Sequence, residues 1–247
     1  MRVSLAFAAQ RIFGMFGYHL RKLESGVRID DSFDEQLRLA GGDVLTIFEV
    51  GAADGRDTSI YAQRYPRAIV HAFEPLPENF AKLQAVAEAE PRIRPENMAV
   101  SSKSGTAAFH VAALPDASSL FSARSTGSTF DKYTQKKKSI EVNVTTLDEY
   151  CLGVKIDRID ILKMDAQGAE LDILKGSKNL IENKRVGLIY TEVNFMKIYD
   201  GSCRFHDVAA YLDQLDYELH AIYDQHHNQF GRLAWADAIF LPKDDRA

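Results

Sequence analysis

The sequence predicts an α/β domain: a doubly wound, mostly parallel, seven-stranded sheet with helices on both faces. Three observations predict it. Strand-like apolar runs alternate with helical patterns along most of the chain, and the first such strand breaks at a glycine-containing turn that leads into a helix. The third is size, since 247 residues with 46% hydrophobic content suffice for one large core.

Val44 to Val50 is apolar except at Thr46 and Glu49, as a strand buried on both faces should be. Gly51-Ala52-Ala53-Asp54-Gly55 ends it, and a helix is expected from Asp57 to Tyr65. Ala68 to Phe73 forms the second strand, stopped by Glu74-Pro75, and Pro77 to Ala89 a helix with proline in its first turn. A third strand is expected near Ile93 to Val100. Thr106 to Ala112 and Ser139 to Thr145 alternate in polarity and read as an inserted antiparallel pair. The Ser/Thr/Lys-rich stretch between them, Leu114 to Lys138, reads as a long loop, and loops of that length in compact domains are functional or disordered. The parallel pattern resumes with strand Ile159 to Met164, helix Gly168 to Leu174 capped by Gly176, and strand Val186 to Val193. Helix Phe205 to Leu215 and strands Tyr217 to Tyr223 and Ala236 to Leu241 close the chain.

Met1 to Leu23 carries Arg2, Arg11, Arg21 and Lys22 with no acid, and its apolar residues recur at helical spacing. An amphipathic basic helix is expected, with Arg11 interrupting any membrane span. It either packs on the domain or on a second subunit of a homo-oligomer, or lies on an anionic membrane surface. Arg2 and the short run Val3 to Ala9 barely reach the length of a secretory signal. The expected locale is the cytoplasm or the inner face of the membrane. A net charge of -5 supplies no field for nucleic acid, so no such partner is expected. Cys151 and Cys203 have no disulfide or zinc spacing, which fits a reducing compartment.

In open parallel sheets the ligand sits beyond the carboxyl ends of the strands. Gly51 and Gly55 let backbone approach a ligand there and would leave N–H groups free for an anion such as an amino acid carboxylate. Glu74 ends the next strand about 20 residues on, where a carboxylate accepts ribose hydroxyls. Dinucleotides use the same geometry, but Ala53 and Arg56 stand where G-x-G-x-x-G has its second and third glycines. That departure favours an adenosine ligand without pyrophosphate, S-adenosylmethionine ahead of NAD. The plainer reading is a tight turn and a solvated strand end.

Phe48 to Gly55, His71 to Pro75, Asn97 to Ser101, Ser118-Ser119-Leu120, Thr145 to Asp148 and Asp160 to Glu170 follow one another as in FkbM-type methyltransferases, which this chain resembles from about Val44 to Glu192. Ala236 to Phe240 is a weaker echo, and Lys163-Met164-Asp165 through Gly168-Ala169-Glu170 is the most specific piece. The resemblance implies a class I, Rossmann-like methyltransferase fold, S-adenosylmethionine as methyl donor, and an oxygen acceptor on a sugar, glycolipid or natural product. It places Glu49 and Asp165 near the methionine moiety, Gly51 and Gly55 beneath it, Glu74 on the ribose, and Asn97 and Ala99 along the adenine. Ala52, Asp54 and Pro75 complete the expected cofactor contacts. Gln167 departs from the family, which often has an acid there.

Methyl transfer needs an aligned acceptor oxygen whose proton is removed. Asp165 and Glu192, both at strand ends, are candidate bases; alternatively Asp165 holds the cofactor's ammonium and Glu192 caps a loop. His206 at a helix start and His226-His227 in a late loop are rivals, because imidazole titrates near neutrality. No spacing is specific to magnesium, so no metal is expected. Ser118-Ser119, Tyr133 and Lys136-Lys137-Lys138 would form a lid, and Phe195, Tyr199, Tyr223 and Trp235 are candidates for stacking on a sugar. The expected organisation is a helical extension over residues 1–43 and a methyltransferase domain over 44–247, acting on a small-molecule or glycan hydroxyl. The alternatives are an NAD-type oxidoreductase on the same fold and a non-catalytic cofactor-binding protein.

Overall fold

The computed structural model describes residues 31–41 and 43–243. The basic helix expected over residues 1–23 lies outside the described residues. Contacts divide the chain into residues 1–35 and 36–247, and both sheets lie in the second unit.

Seven strands form the main sheet: β1 (Thr46–Val50), β2 (Ile69–Phe73), β3 (Ile93–Glu96), β7 (Ile159–Met164), β8 (Val186–Asn194), β9 (Tyr217–His227) and β10 (Leu233–Pro242), in the order β3-β2-β1-β7-β8-β10-β9. All neighbours run parallel except β10, which is antiparallel to both β8 and β9. Strands β1, β7 and β8 read as apolar runs because both their faces are covered, and Phe48, Leu162 and Ile189 are fully buried. Each such side chain contributes about 1.5–3 kcal/mol by leaving water.

Three expectations are corrected. The third strand splits: Ile93–Glu96 stays in the main sheet, while β4 (Ala99–Val100) joins a second sheet of order β4-β6-β5, with β5 Gly105–Ala112 and β6 Lys136–Thr145. Asn97 makes the break, its Nδ2 donating to the carbonyls of Glu74 (2.9 Å) and Pro75 (3.3 Å). The lysine run is the start of β6 rather than loop, and Lys138 pairs with Glu78 at 3.3 Å. His226-His227 end β9 rather than sitting in a loop. The connection from β5 to β6 carries a 3-10 turn, Pro115–Ala117, and one short helix, Asp131–Thr134.

From β1 the chain turns to β2 and β3 on one side, and from β7 it continues to β8 on the other. The crevice above the carboxyl ends of β1 and β7 is therefore the topological switch point where such sheets bind ligands.

Candidate active site

The turn after β1 is shaped by contact with β7. Gly51 has φ 83°, and a Cβ there would stand 1.9 Å from the carbonyl oxygen of Asp165. No side chain fits, so glycine is required by both backbone conformation and close approach. Gly55, also at positive φ, serves differently from the expectation. A Cβ on it would meet Leu83 at 3.1 Å and Val86 at 3.2 Å, so it seats one helix (Arg56–Arg64) on the next (Pro77–Ala89) and is not part of the cavity wall.

Four amides of the turn donate within the protein, whereas the sequence suggests N–H groups free for an anion. Gly51 and Ala52 N–H both donate to the carbonyl of Phe73 at 3.0 Å, and Gly55 N–H donates to that of Ala52 at 2.9 Å. Ala53, itself at φ 47°, donates to Glu74 Oε2 at 2.9 Å, while Leu76 N–H donates to Glu74 Oε1 at 2.8 Å. The turn thus orients the carboxylate that ends β2. Burial pushes the pKa of Glu74 up to about 7; the two amides pull it down, and Asp116 and Asp165 push it further up.

A cavity of about 210 Å³ lies over this turn. Ala52, Asp54, Glu74, Pro75, Ala99 and Asp165 stand in its wall, whereas Asn97 is turned away to its carbonyl partners and Met98 takes its place. Glu49 reaches the wall but is fully buried and committed within the protein: it accepts from Thr58 Oγ1 at 2.5 Å and pairs with Lys163 Nζ at 3.2 Å. Burial acts to lower the pKa of Lys163, but Glu49, Asp165 and Asp57 outweigh it and keep the ammonium charged. Asp54, Asp57 and Asp116 bring the wall to six carboxylates with Glu49, Glu74 and Asp165, against two cations, Arg56 and Lys163, each already paired with an acid. That excess suits a ligand carrying a sulfonium and an ammonium, and it opposes a pyrophosphate.

A second cavity of about 410 Å³ shares Asp116, Asp165 and Gln167 with the first. Glu192, inside β8, faces this one. Burial, then the charges of Asp165, Glu170 and Asp237, raise the Glu192 pKa well above the usual carboxylate range. Gln167, at φ 52°, stands between the two cavities; its Nε2 lies 2.7 Å from Asp165 Oδ1 and 3.4 Å from Glu192 Oε1. The Tyr199 hydroxyl is 2.8 Å from Gln167 Oε1 and 2.9 Å from the Ala117 carbonyl. Ser119 Oγ donates to the Gln167 carbonyl at 2.8 Å, so the Ser118-Ser119 segment is a strut of the site.

Of the aromatic candidates, Tyr199 and Trp235 line the second cavity together with Tyr133, His226 and His227. Phe195 instead stacks on Phe205 at 5.1 Å. His206 is exposed, 3.1 Å from Arg204 and 3.5 Å from Asp207, and is in neither cavity wall, so the structure does not bring this candidate base to the site. Sequence reasoning missed Asp116, which follows Pro115 in the 3-10 turn and accepts from Asn79 Nδ2 at 3.2 Å. Its one local signal was the Pro-Asp pair inside the long connection.

A sheet of this order, with a carboxylate-rich cavity over the β1–β7 crevice, is that of a class I S-adenosylmethionine-dependent methyltransferase. Residues 49–219 match the methyltransferase FkbM domain, and the chain belongs to that family. It is 26% identical over 207 residues to the 2-O-methyltransferase NoeI of Sinorhizobium fredii, covering 81% of this chain and 83% of the relative. It is 25% identical over 176 residues to Methyltransferase 1 of Beauveria bassiana, covering 60% and 66%. Among solved structures, an rRNA methylase from Streptococcus thermophilus shares the fold, with TM-score 0.50 at 13% identity over 88% of this chain and all of that one. No helix among the described residues is long and apolar enough to cross a membrane.

Proposed function

We propose that this enzyme transfers the methyl group to a hydroxyl oxygen of a saccharide, free or within a glycolipid or natural product. The observation that carries the reading is the second cavity, which meets the cofactor cavity at Asp165 and Gln167 and combines aromatic walls with the carboxylate of Glu192. Pockets that bind specifically join such apolar walls to a few convergent polar groups. The name of the relative NoeI, a 2-O-methyltransferase, supports an oxygen acceptor.

In this reading Glu74 accepts the ribose hydroxyls, Asp165 holds the cofactor's ammonium, and Pro75, Met98 and Ala99 flank the adenine. Glu192 is the general base, because its raised pKa matches it to an alcohol better than an ordinary carboxylate. S-adenosylmethionine supplies an electrophilic methyl: the acceptor oxygen bonds to that carbon as the carbon–sulfur bond breaks, the sulfonium becomes a neutral thioether, and the hydroxyl proton passes to the carboxylate. Residues 44–247 would form the methyltransferase domain, since every described wall residue of both cavities falls within them, and residues 1–43 an extension.

Calorimetry with S-adenosylmethionine, S-adenosylhomocysteine and NAD tests the donor side. Incubation with methyl-tritiated cofactor and glycan or lipid extracts tests the acceptor side. An alkali-stable methyl ether is expected in the product; label released as methanol by mild alkali would mean a carboxylate acceptor and overturn the proposal.

A further inference from the structure

The chemistry of the second cavity narrows the acceptor further, an inference that rests on the saccharide reading above. Its walls come from three places: Asp165, Gln167 and Glu192 from the β7 and β8 side, Asp116, Phe130 and Tyr133 from the β5–β6 connection, and His226, His227 and Trp235 from β9 and β10. Three of these side chains are carboxylates, and no lysine or arginine is among the described wall residues. Lys132, next in sequence to Tyr133, lies over the Tyr133 ring at 4.6 Å and is not part of the wall. The buried Lys163 is occupied by Glu49 and Asp57 on the cofactor side.

Sites that take phosphate or carboxylate present arginine, lysine or a helix N-terminus to it. Here an anionic acceptor would meet the like charges of Asp116 and Asp165, joined by Glu192 when it gives up its proton, in a partly water-excluded space, and no cationic side chain among the described wall residues would replace its lost hydration. Trp235 is held rigidly, with the His226 ring stacked at 4.9 Å and 15° and the Phe130 ring edge-on at 4.5 Å. The part of Trp235 that lines the cavity offers apolar contact to the C–H groups of a sugar ring, while the carboxylates accept from hydroxyl or amine donors.

We infer that the acceptor is an uncharged or amine-bearing saccharide, and that the cavity discriminates against phosphorylated and carboxylated sugars. The discrimination expected from like-charge repulsion is on the order of 100-fold in kcat/KM.

The test is methyl transfer from tritiated S-adenosylmethionine by the full chain onto a printed array of neutral, aminated, carboxylated and phosphorylated glycans. Label is expected on neutral and aminated spots. Asp116→Asn should raise labelling of carboxylated and phosphorylated congeners of an accepted glycan relative to the parent by about tenfold. Label concentrated on anionic glycans in the unmodified protein would overturn this inference while leaving the saccharide reading intact. No label on any glycan, with calorimetric cofactor binding preserved, would overturn the saccharide reading and this inference with it.

Discussion

The side-chain amide of Gln167 donates to Asp165 Oδ1 at 2.7 Å and reaches Glu192 Oε1 at 3.4 Å, so a single –NH₂ group bridges acids on neighbouring strands. Its carbonyl end is held by Tyr199 and its backbone oxygen by Ser119. A non-glycine residue at φ 52° is strained, and strain of this kind persists where the surroundings fix it. Gln167 is a positioning residue in the proposed reaction. Gln167→Leu should leave Glu192 and Asp165 without a shared donor and raise the Glu192 pKa further. The ascending limb of the pH–kcat profile should then move up by about one pH unit, with the dissociation constant for S-adenosylmethionine changed less than about threefold. A profile that does not move would assign Gln167 a purely structural role.

Glu74 should govern cofactor affinity. Replacing it with Gln keeps its size but removes the charge that strengthens bonds from ribose hydroxyls, and should weaken binding by about 1.5–3 kcal/mol. Because burial has lifted its pKa to about 7, the unmodified protein should bind more tightly as pH rises from 6 to 8. The expected gain is about tenfold, and Glu74→Gln should flatten it. Calorimetry at pH 6, 7 and 8 on both proteins measures this.

The two glycines of the turn should respond differently to alanine. At Gly51 a Cβ would overlap the Asp165 carbonyl at 1.9 Å, so Gly51→Ala must separate β1 from β7 and should cost more than about 4 kcal/mol. At Gly55 the obstacles are the ends of Leu83 and Val86 side chains, which yield, and the positive φ remains. Gly55→Ala should cost about 1–3 kcal/mol and still bind the cofactor. Denaturant unfolding of both variants, with cofactor titration of the second, would show it.

Stability without cofactor should rise as pH falls from 8 to 6.5. Burial places the pKa of Glu74 and Glu170 at about 7 and that of Asp237 at about 6, above the ordinary carboxylate values of the unfolded chain. Over that window the folded protein binds more protons than the unfolded chain, so each acid's contribution is lost as pH rises through its folded value. Below 6.5 His71 opposes this trend without reversing it, because burial lowers its pKa to about 4 and the unfolded chain takes one extra proton there against those of three acids. The melting temperature should therefore be higher at pH 6.5 than at pH 8, by several degrees for the ~2 kcal/mol at stake. A melting temperature that rises steadily with pH across this range would contradict the burial of these acids.

How much was legible beforehand differs between elements. Strands β1, β2, β7 and β8 announced themselves because a strand covered on both faces is apolar at most of its positions. The carboxylates at their ends, Glu74 and Asp165, were legible for the same reason, being the first polar residues after buried runs. The beginning of β6 was not, since Lys136 to Ser139 are exposed and only pairing with β5 makes them strand. His226 and His227 were hidden likewise, at the exposed end of edge strand β9.

By itself the sequence determined the sheet, the switch point and the acids that end its strands, because local periodicity and burial on both faces constrain residues close together in the chain. Only the tertiary structure decided that Gly55 packs helices instead of lining the site, that the Ala53 amide serves Glu74, and that Asp116, Gln167 and Trp235 meet around one cavity. Those facts depend on approach between segments tens of residues apart, and no pattern of neighbouring side chains encodes which polar groups will meet once the sheet has closed.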